Sequence, residues 1–240
     1  MHLLLLNANT STDMTDRLVA AARDRVAAGT EISGLTGRFG AQVIATRASY
    51  AIAGHAAIDA LAVQPVAADA IILACFGDPG LAALRELSAV PVIGMAEAAC
   101  RHAAERAAKF SIVTGGRLWE EMLGEYVASL GLSASLASIR TLAANGGQIA
   151  SDPAAAEAAL LAACDTAIRR DGAELVILGG AGMVGLVERL SHRMAVPLID
   201  GLTPALRAAE AAVAAAPVKA SVQQSDMNGL SPELTALLRG

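Results

Sequence analysis

Short apolar runs alternate along the chain with longer segments in which apolar residues recur at helical spacing. Residues 2–6 form the first such run, and it ends in the polar stretch "NANTS" at 7–11. An apolar run that breaks into Asn, Thr and Ser is typical of a buried β-strand that enters a loop. Thr10 or Ser11 can cap the helix that follows, and Gly29 can end it. The chain is therefore predicted to begin with a strand followed by a helix.

The same alternation continues through the first half of the chain. The pattern predicts strands near residues 31–35, 70–74 and 92–94, a strand or extended piece at 42–45, and helices near residues 51–62, 80–87 and 96–109. Strands that are separated by helices form parallel sheets covered on both faces. The predicted fold class is therefore α/β, with doubly wound parallel sheets.

The second half of the chain repeats the first. Ile72 and Ile177 lie 105 residues apart, as do Gly77 and Gly182, while "AVPVIG" near residue 90 is matched by "AVPLID" at an offset of 106. A nearly constant offset indicates an internal duplication. We expect two similar lobes related by a pseudo-twofold axis, residues 1–107 with 215–240 and residues 108–214. Ligands of such sheets bind beyond the carboxyl ends of the strands, so the cleft between the lobes is the predicted site.

Composition narrows the classes of function. Eighteen Lys and Arg stand against 23 Asp and Glu, which gives a net charge of −5, and aromatic residues make up only 2% of the chain. The chain therefore has neither the basic patches nor the aromatic stacking surfaces that nucleic-acid binding uses. A nucleic-acid partner is not expected.

The cysteines and the apolar runs bear on location. Cys75, Cys100 and Cys164 form an odd set without a CxxC spacing, which argues against a disulfide framework or a zinc site and favours a reducing compartment. The amino-terminal apolar run is too short for a signal peptide, and no stretch reaches the about 18 apolar residues of a membrane span. We expect a cytoplasmic protein without a membrane partner, whose alanine-rich helix faces permit a homo-oligomer.

The strongest chemical candidate is Cys75, in the stretch "IILACFGDPGL" at 71–81. It is either a small core residue or a reactive thiol at a strand end. Nearby backbone amides and a helix amino terminus would lower the pKa of the thiol, and a thiolate can act as a nucleophile or a base. The offset of 105 places Gly180 at the equivalent position, so the second lobe brings a glycine where the first brings a thiol.

Small and polar residues at the other strand ends complete the candidate site. The turn at 180–182 can present amides to an oxygen that gains negative charge in an enolate. A side-chain pocket is expected in the loops near 37–50 and 117–145. Cys100 and Cys164 lie among apolar neighbours on predicted helices and are interpreted as core residues. The candidate substrate-binding residues are Asn7, Asn9, Thr10, Tyr50, Phe76, Gly77, Thr114, Gly115, Gly116 and Ala181.

Several motifs occur together in one order. They are "NANTS" at 7–11, "CFGDPGL" at 75–81, "PVIGMAEAA" at 91–99, "FSIVTGG" at 110–116 and "VPLIDGL" at 196–202. This combination resembles the aspartate/glutamate/hydantoin racemase superfamily, and within it the hydantoin and allantoin racemase branch. The first loop departs from that branch in carrying Ala8 where the branch has proline.

The resemblance implies a cofactor-independent isomerase in which two cysteines act on opposite faces of a substrate Cα. Cys75 matches the first of them. The second, in the family's Gly-Cys-Ala-Gly-Met motif, falls on Gly180. The resemblance therefore implies a racemase or epimerase of a small hydantoin, ureide or amino-acid-like substrate, with Cys75 as acid and base.

Two alternatives stay open. One is a decarboxylase of malonate-type substrates that uses a single cysteine as proton donor, as arylmalonate decarboxylases do. The other is a non-catalytic protein that binds a small carboxylate.

Overall fold

The computed structural model describes residues 1–63, 67–215 and 228–238, and within them two parallel sheets carry the fold. The first sheet has the strand order β2-β1-β3-β4 and the second the order β6-β5-β7-β8. The first-sheet strands are β1 (His2–Asn7), β2 (Glu31–Thr36), β3 (Ala70–Leu73) and β4 (Val92–Gly94), and the second-sheet strands are β5 (Phe110–Gly115), β6 (Leu136–Leu142), β7 (Leu175–Gly179) and β8 (Leu198–Asp200).

Helices connect the strands and cover both sheets. In chain order they are α1 (Thr12–Arg23), α2 (Arg47–Ala62), α3 (Leu81–Leu87), α4 (Met95–Ala104), α5 (Trp119–Ser129), α6 (Gly146–Ser151), α7 (Pro153–Arg169), α8 (Leu186–Leu190), α9 (Leu202–Ala214) and α10 (Pro232–Leu237), with short 3₁₀ turns at Ala181–Met183 and Ser191–Arg193.

The central strands are apolar because helices cover both of their faces. In β1, Leu3, Leu5 and Leu6 are wholly buried, and the four residues of β3 are buried as well. An amphipathic α1 packs against β1 and β2, and its amino terminus is capped by Ser11, whose hydroxyl accepts from the Met14 amide. The strand, loop and cap predicted at the start of the chain are confirmed.

The two halves have the same topology. Each sheet places its first strand in the second position of the order, and all ladders are parallel, with Asn7 and Thr114 near the carboxyl ends of equivalent strands. The duplication and the α/β class are therefore confirmed. The carboxyl ends of β3 and β7 contribute residues to one common cavity.

The last helix of each half packs across the division. Helix α9 follows β8 but lies against β3 and β4 of the first sheet, and α4 follows β4 but contacts β7 of the second. The two helices also pack on each other. The predicted division at residues 107 and 214 keeps α4 and α9 with the lobes that precede them in the chain, and it stays a prediction.

Three local features differ from the predictions. Helix α1 ends at Arg23, before its predicted end at Gly29. Residues 42–45 form no strand, because α2 begins at Arg47 behind a capping box of Thr46 and Ser49. Helix α4 ends at Ala104 rather than near residue 109, since the chain must extend to enter β5. Within the tail predicted to join the first lobe, α10 packs on α2, while residues 216–227, 239 and 240 lie outside the described residues.

Candidate active site

A cavity lies at the carboxyl ends of the strands and is lined by both halves of the chain. The predicted site residues on its wall are Asn9, Cys75, Phe76, Thr114, Gly115, Gly180 and Ala181. The duplication thus correctly places Cys75 and Gly180 in one cavity.

Cys75 follows β3 in a loop that is fixed from two sides. The hydroxyl of Tyr50 in α2 donates to the carbonyl oxygen of Gly77 at 2.6 Å. The ring of Phe76 lies so close to Gly179 and Gly201 in the second half that a Cβ at either glycine would crowd it. The loop therefore holds the thiol in place by contacts from both lobes.

Asp78 anchors the same loop from below. Its buried carboxylate accepts from the Ala96 and Glu97 amides at the amino terminus of α4, at 3.0 and 2.7 Å, and from the Tyr126 hydroxyl at 2.6 Å. Its backbone is left-handed, with a φ of 54° that Asp tolerates better than most residues. Burial raises the pKa of Asp78 to about 6, although these three hydrogen bonds act to lower it.

The pKa of Cys75 moves opposite to the sequence-based prediction. Burial and, to a lesser extent, the negative charge of Asp78 raise it to about 12. No Lys, Arg or His lines the cavity among the described residues. The expected lowering of the pKa is therefore wrong, and Cys75 is a protonated thiol at neutral pH.

The wall opposite the thiol consists of backbone. Gly180 has a φ of 130°, a conformation that L-residues rarely adopt, and it precedes the 3₁₀ turn Ala181–Met183. A Cβ at Gly180 would point into space, with Thr114 Oγ1 at 3.8 Å and Met183 Cγ at 3.9 Å as its nearest neighbours. The position that the duplication pairs with Cys75 is thus open, and its backbone is one that glycine favours.

Two residues of the cavity wall have backbone amides that are free to donate. Within the described part of the chain, the amides of Phe76 and Ala181 bond to no protein acceptor. Such groups can bind a carbonyl or carboxylate oxygen whose negative charge grows during a reaction. The hydroxyl of Thr114 is already used, because it donates to the Gly179 carbonyl oxygen at 2.6 Å.

The first loop contributes one side chain to the cavity and uses others to position it. Asn9 lines the wall. Asn7 is fully buried, and its amide nitrogen donates to Asn9 Oδ1, Ser11 O and Thr15 Oγ1. The amide of Thr10 donates to the Ala41 carbonyl oxygen, and Thr10 does not line the cavity. Asn7 and Thr10 therefore shape the loop without lining the cavity, and their role as substrate contacts stays a prediction.

Three further predicted contacts lie behind the wall. Tyr50 and Gly77 line a neighbouring pocket rather than the main cavity, and burial raises the pKa of Tyr50 to about 12. Gly116 also lies outside the main cavity, and its φ of 91° turns the chain toward α5. These residues support the cysteine loop and the start of α5 without lining the main cavity.

Several residues of the cavity wall are not among the predicted site residues. Trp119, the only tryptophan, starts α5, packs against Gly77 and donates its indole NH to the Ile44 carbonyl oxygen at 3.1 Å. The segment 42–44 lines the cavity, as expected of the loop near 37–50, and Gly146 and Gly147 also line it, with Gly147 next to Val43. The sequence feature that pointed to Trp119 is that the single tryptophan of the chain follows shortly after "TGG" at the end of a predicted strand.

The sequence is similar to a known protein family and to characterised relatives over most of its length. A model of the Asp/Glu/Hydantoin racemase family matches residues 3–209. The chain belongs to this family. The hydantoin racemase of Paenarthrobacter aurescens is 40% identical over 218 residues, which are 89% of this chain and 92% of the relative. That of a Pseudomonas species, strain NS671, is 31% identical, over 89% and 86% of the two chains.

Solved structures place the chain in the same branch. Allantoin racemase from Pseudomonas fluorescens has a TM-score of 0.86 and 34% identity, over 89% of this chain and 91% of its own. The Klebsiella pneumoniae allantoin racemase has a TM-score of 0.88 and 31% identity, over 99% and 98%. Arylmalonate decarboxylase shares the fold, at a TM-score of 0.59 and 16% identity over 88% and 92%. The protein is a racemase-type isomerase of the hydantoin racemase-like branch.

The described residues contain neither a candidate membrane-spanning helix nor a cluster of potential metal ligands. None of the helices combines the length and apolar character that crossing a membrane requires. In the same ranges no three or more His, Cys, Asp or Glu side chains are grouped so that they could hold a metal ion.

Proposed function

We propose that the protein is a cofactor-independent racemase or epimerase that acts at an acidic Cα–H of a small hydantoin, ureide or amino-acid-like substrate. The observation that carries the proposal is the single thiol, Cys75, on the wall of a cavity shared by both lobes. The 40% identity to a hydantoin racemase supports the hydantoin-like substrate class.

Cys75 removes the proton at its own face of the substrate, and protonation from the other face completes the inversion. Cys75 first loses its proton to solvent, and the thiolate then removes the Cα proton while the bonding electrons move into the adjacent carbonyl as an enolate. The amides of Phe76 and Ala181 can receive the enolate oxygen, since they lack a protein acceptor among the described residues. Because burial raises the pKa of Cys75 to about 12, kcat/KM should increase as the pH rises above neutral.

The side-chain amides of Asn9 and Gln42 suit the amide and carbonyl groups of a ureide ring. Both residues lie on the cavity wall. The Asn9 oxygen accepts from the Ser11 amide and from Asn7, which leaves the Asn9 nitrogen as the donor toward a ligand.

Loss of the C5 proton of a hydantoin tests the proposal. In deuterium oxide the wild-type protein should exchange the C5 hydrogen of L-5-benzylhydantoin for deuterium, and proton NMR measures the rate. Cys75→Ala should reduce this rate to that of buffer. Cys100→Ala is the matched control, because Cys100 is a fully buried thiol in α4 away from the cavity wall. Wild-type exchange no faster than that of buffer would contradict the proposal.

Decarboxylation is the second candidate, and one observation favours it. A thiol that is protonated at neutral pH is suited to protonate an enediolate formed by loss of carbon dioxide. Release of carbon dioxide from a disubstituted arylmalonate, lost in Cys75→Ala, would support this reaction. Binding of such a carboxylate or a hydantoin without turnover of either would instead favour a small-carboxylate binding protein.

Two further expectations belong to this proposal. Free thiols, with no disulfide among the described cysteines, suit a reducing compartment, so we place the protein in the cytoplasm. Ile52 and Leu118 are large apolar side chains that are 48% and 60% exposed, which suits a homo-oligomer.

A further inference from the structure

The described cavity wall carries one side chain able to take up and release a proton in catalysis. That side chain is Cys75, since the wall includes no His, Asp, Glu, Lys or Tyr. Asn9 and Gln42 are amides, which do not ionise. Thr114 donates its hydroxyl hydrogen to the Gly179 carbonyl oxygen at 2.6 Å. The substrate therefore meets a proton carrier on one face only.

The opposite face is open where a second carrier would stand. Gly180 is partly exposed, and a Cβ built on it would find its nearest atoms 3.8 and 3.9 Å away on Thr114 and Met183. The structure fills this position with no neighbouring side chain. Solvent that enters the open cavity is then the remaining proton source at this face.

We propose that the protein exchanges the substrate α-proton at the Cys75 face much faster than it inverts the centre. The proposal rests on the proposed function at the same site and adds its stereochemical course. It predicts a racemase in which most turnovers return the starting enantiomer, with a solvent proton in place of its own.

The proton balance distinguishes the two outcomes. In the frequent path, the Cα–H bond breaks as an S–H bond forms, the partly exposed thiol exchanges with solvent, and the proton returns from the same side to regenerate the thiolate. In the rare path, water at the Gly180 face protonates the enolate carbon. The hydroxide left behind then takes the proton from the Cys75 thiol, which restores the thiolate and a water molecule.

The expected size of the difference follows from the missing carrier. A positioned general acid or base contributes roughly 10²–10⁴-fold to the rate of a proton transfer. Inversion that relies on unpositioned water should therefore be about 100-fold or more slower than exchange with retention.

The wild-type protein supplies the deciding measurement. L-5-Benzylhydantoin is incubated with the protein in deuterium oxide. At early times the two enantiomers are separated by chiral chromatography, and the deuterium content of each is measured by mass spectrometry. Deuterium in the recovered L-enantiomer before any D-enantiomer accumulates would support the proposal. Appearance of deuterated D-enantiomer while the recovered L-enantiomer stays unlabelled would overturn it and leave the proposed function standing. Absence of both label and inversion above the enzyme-free rate would overturn the proposed function as well.

Two substitutions at Gly180 add a matched test. Gly180→Cys places a thiol at the open position, and Gly180→Ala adds the same Cβ without a proton carrier. Both carry the strain of a φ of 130°, so thermal unfolding of the two is compared first. Only Gly180→Cys should raise the ratio of inversion to exchange, by about tenfold or more toward the range that a general acid provides. An equal ratio in the two folded variants would count against the proposal.

Discussion

At the residue scale, burial and the neighbouring charge of Asp78 set the pKa of the Cys75 thiol. The same "CFGDPGL" stretch that carries the thiol also carries Asp78, whose carboxylate raises the pKa of Cys75 and binds the amides of α4. Asp78 thus ties the loop to α4 while it disfavours the thiolate. The loop is built to hold its thiol in a fixed position rather than to keep it ionised.

Replacement of Asp78 by Asn should lower the pKa of Cys75, because it removes the negative charge while an amide oxygen can still accept from α4. The measurement is the rate of iodoacetamide alkylation of Cys75 against pH. In the wild type the rate should rise about tenfold per pH unit through the range where a free thiol, with a pKa of about 8.5, levels off. In Asp78→Asn the curve should shift to lower pH.

A second carboxylate provides the control for this change. Asp59 is also buried, but its charge is paired with Arg38 at 2.8 Å and does not act on the thiol. Asp59→Asn should leave the alkylation curve in place. A wild-type curve that levels near 8.5, or an Asp78→Asn curve that does not move, would show that Asp78 and burial do not control the thiol.

At the element scale, the cavity wall opposite Cys75 depends on close contact between two short elements. The 3₁₀ turn Ala181–Met183 packs on the start of α6, and a Cβ at Gly182 would overlap the Gly146 carbonyl oxygen. The contact requires a residue without a side chain at 182. It explains why a glycine stands there independently of any ligand.

Gly182→Ala should force this turn away from α6 and lower the free energy of unfolding by about 1–3 kcal/mol, the usual cost of overpacking. Gly146→Ala is the matched control in the same contact, because its Cβ would meet nothing within 4 Å. It should be neutral or stabilise by up to about 1 kcal/mol through helix propensity. Urea denaturation measures both, and equal stabilities of the two variants would disprove the packing argument.

At the scale of the whole molecule, the duplication made the main architecture predictable. The repeat offset brings Cys75 and Gly180 to equivalent strand ends, and the structure places both on one cavity. The exchange of α4 and α9 was not predictable, because an amphipathic pattern marks a buried face without naming the sheet that buries it. Trp119 and Gly146 reach the cavity through tertiary packing that local patterns do not record. The direction of the Cys75 pKa likewise depends on burial and on the absence of cations along the wall, which only the folded structure specifies.

The two lobes are also joined by charge, and Arg25 is the partly buried link. It follows α1 in the first half, and its guanidinium contacts Glu188 at 2.6 Å and the buried Asp200 at 3.4 Å in the second. Arg47 makes an equivalent link to Glu125 at 2.6 Å, but both of its partners are more than half exposed. The two pairs join the same halves and differ in burial, so they can be compared directly.

Arg25→Gln should lower the free energy of unfolding by about 1–3 kcal/mol, because it leaves the buried Asp200 without its charged partner. Arg47→Gln should cost at most about 1 kcal/mol, as exposed ion pairs do.

Burial acts to raise the pKa of Glu188, but the hydrogen bond and charge of Arg25 outweigh it and lower the pKa. A carboxyl group with a lowered folded-state pKa stabilises the protein above its unfolded pKa, about 4.3 for Glu, and loses this effect as the pH falls through the folded value. The difference between wild type and Arg25→Gln in urea denaturation should therefore be full at neutral pH and shrink in acid below about pH 4, and a difference that stays constant would show that Glu188 does not contribute to the link.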